Sequence, residues 1–166
     1  ASSYTAAVAL MALVAAHDPQ YDQAIADSIK FLKGLQIVPG SDSPDGKIKE
    51  DSPLVGGVGY AKGQGRADAS CTGMWAEALH DANVPADDPA MQRAAAFISR
   101  LQNNSETNSL DWARKGSNDG GFIYVFPGED APADRTRSYG SMTYTGFKTL
   151  LYAGVNRDDA RVKAAF

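Results

Sequence analysis

Three arginines and a tyrosine stand just ahead of places where helices begin: Arg66 before one apolar stretch, and Arg135, Arg137 and Tyr139 before another. Guanidinium forks and helix N-termini both favour anions. The cluster therefore points to a diphosphate site, unless these arginines pair with Glu129, Asp130 and Asp134 of their own loop. Other acids read as structural. Ala86-Asp87-Asp88 and Arg157-Asp158-Asp159 lie at helix starts, where a carboxylate caps the first turn. The acidic loop from Asp42 to Asp51 contains Asp45-Gly46 but lacks calcium-loop spacing, and Asp119-Gly120 spells a turn. Cys71, the single cysteine, excludes an intramolecular disulfide and a Cys-rich zinc site. It reads as a small buried hydrophobe.

The elements that must position these groups are set by a repeat. The segment Asp22-Gln23-Ala24-Ile25 through Phe31-Leu32-Lys33-Gly34-Leu35-Gln36 returns as Asp88-Pro89-Ala90-Met91 through Phe97-Ile98-Ser99-Arg100-Leu101-Gln102. In the second copy Met91, Ala94, Ala95, Ile98 and Leu101 fall on one helical face, and Asp88-Pro89 is an N-cap followed by a first-turn proline. A more apolar helix precedes each copy, Tyr4 to Ala16 and Asp68 to Ala82, and a third spans Ser141 to Val155. Thr145-Gly146-Phe147 matches Thr72-Gly73-Met74, and Asp158-Asp159-Ala160-Arg161-Val162 matches Asp87-Asp88-Pro89-Ala90-Met91. The pattern predicts three helical hairpins, at about 4–36, 67–102 and 140–166, in one domain over 1–166.

Under that match, one stripe of the second apolar helix carries Asp68, Cys71, Trp75 and Leu79, and that of the third carries Ser141, Tyr144, Lys148 and Tyr152. An acid in a first turn is favoured by the helix dipole, and an aromatic at helical spacing is usually core. Two Gly-rich loops of about thirty residues, long for irregular chain, join the hairpins. They carry Gly56-Gly57-Val58-Gly59-Tyr60 and Asp119-Gly120-Gly121-Phe122-Ile123-Tyr124, paired glycines that permit tight turns and deliver an aromatic.

Composition narrows the function classes. The chain has 166 residues, 43% of them apolar, and a net charge of −4, so it has enough apolar sequence for a core and lacks the basic surplus that nucleic-acid backbones demand. The apolar run Thr5 to Ala16 is short of the roughly twenty residues of a membrane span and has no basic region ahead of it. The last amphipathic pattern reaches Phe166 without a stop signal, which reads as a piece of a longer repeat array. Open apolar seams at Tyr4–Ala16 and Arg161–Phe166 would then favour self-association.

At Phe31-Leu32…Gln36…Gly57…Tyr60 and Phe97-Ile98…Gln102…Gly121…Tyr124 the sequence resembles the α/α-toroid superfamily, nearest its prenyltransferase and squalene-cyclase repeat. The run Ser138-Tyr139-Gly140-Ser141-Met142-Thr143-Tyr144 is similar to uncharacterised bacterial members. The resemblance implies an all-α fold, a partial ring of three hairpins whose inner helices line a cavity, and an isoprenoid or other apolar ligand. It makes Asp68 the catalytic candidate and Arg66, Trp75, Arg137, Tyr139, Tyr144 and Lys148 the ligand-contacting ones.

Departures from the family bear on chemistry. Tyr60 and Tyr124 stand where the cyclase repeat usually has Trp, and the Asp-x-Asp-Asp acid of the cyclases is missing. Asp68, Cys71 and His80 supply the zinc-ligand types of the prenyltransferases, but on one helix His80 points about 180° from Cys71, so no metal and no other cofactor is expected. The Cys-Gly-Glu-Gln run of the thioester members is absent. An isoprenoid-handling domain leads; a non-catalytic binding or interaction toroid and a carbohydrate-active α/α barrel are the alternatives, the last needing two carboxylates across a cleft.

Overall fold

Three helices of thirteen residues start and stop alike: α1 (Ser3–Ala15), α3 (Ala69–Asp81) and α6 (Gly140–Tyr152) in a computed structural model that describes residues 2–128 and 133–166. Ser2 Oγ accepts the Thr5 N–H at 3.1 Å and Asp68 Oδ1 the Cys71 N–H at 2.7 Å, satisfying donors that a helix start leaves bare. Tyr139, in the same place before α6, is extended and makes no side-chain cap bond. Each helix ends on an alanine followed by a left-handed residue: His17 (φ 50°), Asn83 (φ 59°) and Gly154 (φ 75°).

The chain then turns back into α2 (Asp22–Lys33), α4 (Pro89–Ser99) and α7 (Ala160–Ala165). Asp88 caps α4 through Ala90 N–H at 2.8 Å and Asp159 caps α7 through Arg161 N–H at 2.9 Å, as the sequence spacing predicts. α1 packs on α3 and α3 on α6; α2 lies against α1, α4 against both α3 and α6, and α7 against α6. Trp75, Phe97, Phe122, Leu10, Leu32 and Leu150 fill the space between. The chain is thus mostly helical, with a single two-stranded sheet among the described residues, β1 (Asp42–Ser43) paired antiparallel with β2 (Gly46–Lys47). None of the described helices is long and apolar enough to cross a membrane.

A repeated clamp joins one hairpin to the next. Gln36 Nε2 donates to the Gly56 carbonyl at 2.9 Å and to Ala90 O, in the first turn of α4, at 2.8 Å. Gln102 Nε2 donates to Gly120 O at 2.9 Å and to Arg161 O, in the first turn of α7, at 2.7 Å. Gly56 (φ 92°) and Gly120 (φ 74°) turn the loop under α4 and α7 respectively, each in a backbone region that side chains rarely enter.

The described parts of the long loops carry regular structure that their composition does not suggest. The first carries the β1–β2 hairpin, and the second carries α5 (Asp111–Lys115) and a 3₁₀ turn over Ala133–Thr136. Buried asparagines hold the second loop: Asn103 Nδ2 donates to Thr136 O at 2.7 Å, and Asn108 Nδ2 to Gln102 O at 2.9 Å. Such bonds satisfy loop carbonyls that would otherwise be desolvated for nothing.

Bonding pattern also corrects the register of the third hairpin. Thr72 Oγ1 accepts the Val58 N–H at 2.9 Å, and it is Thr143, not Thr145, whose Oγ1 accepts the Phe122 N–H at 3.1 Å. The string Thr145-Gly146-Phe147 is therefore two residues out of step with Thr72-Gly73-Met74. In the true register Asp68 corresponds to Tyr139, Ser70 to Ser141, Trp75 to Gly146 and Glu77 to Lys148.

Candidate functional site

The extended stretch after Gly121 runs past the starts of α3 and α6. Phe122 O accepts from Tyr139 N–H at 3.4 Å, Tyr124 O from Ala69 N–H at 2.8 Å, and Val125 forms an antiparallel bridge with Asp68. Arg66 and Arg137, each two residues ahead of a helix cap, come to the same place. With Arg135, Tyr124, Ser138 and Tyr139 they line an open recess of about 470 Å³. All three arginines are exposed, and none forms an ion pair among the described residues. Glu129 and Asp130, offered by the sequence as their partners, lie outside the described residues, as does the side chain of Asp134.

Asp68 lies beneath this recess, 2% exposed, with Oδ1 committed to the Cys71 N–H. Burial, and then the nearby Asp68 charge, push the Tyr124 hydroxyl up to about 12 and the Cys71 thiol up to about 12; Tyr139 is raised for the same two reasons. These phenols stay protonated and can donate hydrogen bonds to an anion. Cys71 is buried and un-ionised, too inert to act as a nucleophile.

The corrected register separates Trp75 from Lys148, which the sequence match places on one stripe. Trp75 is fully buried and its Nε1 donates to Leu32 O at 2.7 Å, so it anchors α3 to the end of α2 and lines neither recess. The stripe Asp68-Cys71-Trp75-Leu79 is the core side of α3, whereas Tyr144 and Lys148 lie on the opposite, open side of α6. There they meet Ser70, Met74 and Glu77 of α3 and Tyr4 of α1 around a smaller recess of about 180 Å³.

On this open side Lys148 Nζ sits 2.6 Å from Glu77 Oε1 and over the rings of Tyr144 (5.3 Å) and Tyr152 (5.5 Å). Burial works against the lysine charge, but the Glu77 and Tyr152 contacts outweigh it and hold its pKa above the ordinary value. Tyr152 stacks on His80 at 4.3 Å, Tyr4 stacks on Tyr60 at 5.7 Å, and the Tyr4 hydroxyl bonds Ser70 Oγ. The result is an aromatic wall with one neutralised charge pair, beginning one turn into α3.

Of the sequence candidates, Arg66, Arg137 and Tyr139 share the first recess above Asp68, and Tyr144 and Lys148 share the second. Tyr124, Tyr4 and Glu77 were not singled out for the site. Glu77 was findable: in the corrected register it is the opposite charge at the position of Lys148. Compared with protein-family models, with curated proteins and with solved structures, the chain matches none.

Proposed function

We propose that the chain is a partial α/α toroid that binds an amphiphile with a diphosphate head and an apolar tail, an isoprenoid diphosphate by chemical class. The observation that carries this reading is the gathering of Arg66, Arg135 and Arg137, without acid partners among the described residues, beside the protonated phenols of Tyr124 and Tyr139. A diphosphate needs several guanidinium forks and neutral donors together, and an apolar tail needs a surface such as that of Tyr4, Met74 and Tyr144. The row of α1, α3 and α6, with α2, α4 and α7 outside it, supports the ring-type architecture.

Binding without turnover fits better than catalysis. Asp68, the catalytic candidate, is a buried cap whose Oδ1 is engaged by a backbone N–H, and the lining of the arginine recess includes no carboxylate among the described residues. A carbohydrate-active barrel, which needs paired acids, finds no support there.

Isothermal titration with geranylgeranyl diphosphate, inorganic pyrophosphate and geranylgeraniol tests the reading. The diphosphate lipid should bind most tightly, and Arg66→Ala with Arg137→Ala should weaken it by about a hundredfold, two charge-assisted contacts at about 1.5 kcal/mol each. No binding of the diphosphate lipid, or equal binding by the double variant, overturns it.

A further inference from the structure

The two ends of the helical row each leave an apolar face open. On α1, Val8, Ala9 and Ala12 are exposed, Val8 by 52%. The residues in the places of Ala9 and Ala12 are buried in both later hairpins: Trp75 and Ala78 on α3, Gly146 and Thr149 on α6. Phe31 of α2 is 42% exposed, whereas its counterpart Phe97 is fully buried. Phe97 packs against the preceding loop, where a Cβ on Gly57 would come within 2.7 Å of its ring.

The opposite end carries the complementary shape. Phe147, Leu151, Val162 and Phe166 line an apolar groove of about 440 Å³, rimmed by Arg157 and Lys163. Their counterparts in the second hairpin are Ala76, His80, Met91 and Ala95, the face on which α6 is seated. There Gln92, the counterpart of Lys163, donates to the Ala153 carbonyl at the end of α6, and His80 stacks on Tyr152. The groove on the third hairpin thus continues an interface the fold already makes twice, and α1 is the element that presents the matching ridge.

We propose that copies of this chain associate head to tail, with α1 of one copy seated in the Phe147–Leu151–Val162–Phe166 groove of the next. Such an interface pairs two different surfaces, so it either closes a ring of copies or grows. The contact is independent of the ligand proposed above.

Native mass spectrometry and light scattering of the 166-residue chain test it. The wild-type chain should form dimers or larger species at micromolar concentration. Ala12→Glu spoils the ridge and Leu151→Glu with Phe166→Glu spoils the groove. All three sites are exposed or half-buried. Circular dichroism should be unchanged and self-association weakened at least about tenfold, since a charge in an apolar seam goes unpaired. Each variant keeps one good surface, so an equimolar mixture of the two should recover a heterodimer. A monomeric wild-type chain, variants that associate normally, or a mixture that stays monomeric overturns the proposal.

Discussion

The glutamine clamp between the first and second hairpins differs from that between the second and third by one hydrogen bond. Gln36 and Gln102 spend their amide N–H groups identically, on a loop glycine and on the first turn of α4 or α7. Their carbonyl oxygens fare differently. Gln36 Oε1 accepts from Arg93 Nε at 3.0 Å, while Gln102 Oε1 is buried without a partner among the described residues, Ala164 standing in the place of Arg93. The donors that tie backbone to backbone recur; the side-chain acceptor bond does not. What defines the repeat is therefore the pair of carbonyl contacts, and the arginine adds only to the first junction.

Breaking the backbone half of the clamp should have the largest effect. A Cβ on Gly56 would lie 2.1 Å from Arg93 O and one on Gly120 would lie 1.9 Å from Ala164 O, both at positive φ. Gly56→Ala and Gly120→Ala should each cost about 3 kcal/mol or more in urea unfolding. A mild Gly120→Ala would mean that the second junction is looser than the first.

Removing the glutamines separates the two junctions. Gln36→Leu frees two carbonyls and the Arg93 guanidinium, at about 3 kcal/mol; Gln102→Leu frees two carbonyls but also deletes an orphaned acceptor, and should cost about 1 kcal/mol less. Ala164→Arg should raise stability by up to about 1 kcal/mol, and should do nothing once Gln102 is leucine. A gain in both backgrounds would show that the new arginine finds another partner.

The helix caps make the smallest difference. Hydrogen bonds from Arg161 hold the Asp159 carboxyl down at about 2. At Asp88 burial works upward, but the Lys33 bond at 2.5 Å and the Ala90 N–H outweigh it and lower the pKa. A carboxyl depressed on folding stabilises above its unfolded value, near 4, and that contribution is lost as pH falls towards about 2. Melting temperature measured across this window should fall for the wild-type chain and fall less for Asp159→Asn, whose cap does not titrate.

Local signals were legible and relative placement was not. Asp88-Pro89 and Asp158-Asp159 announce α4 and α7 because capping is decided within a few residues. The Gln–Gly spacing marked the repeat, though not what the glutamine does, since its second acceptor lies in the next hairpin. Trp75 and Lys148 fall on one stripe in the sequence match because two similar tripeptides outweigh the N-cap positions, and a slip of two residues carries a helical stripe through about 200°. α5 escaped notice because five residues show no period. The arginine cluster was legible because its members flank helix starts, whereas Tyr124 reaches it through strand-like pairing with Asp68 that no local pattern encodes.

The orphaned Gln102 oxygen also bears on how the molecule opens. In a row of hairpins held by nearest-neighbour contacts, partial unfolding begins at the weakest seam. Of the two glutamine clamps, the one that holds the third hairpin has one bond fewer among the described residues. Amide protons of Val162 and Lys163 would accordingly exchange with solvent well before those of Met91 and Gln92, giving the chain a direction of breathing from its third hairpin towards its first.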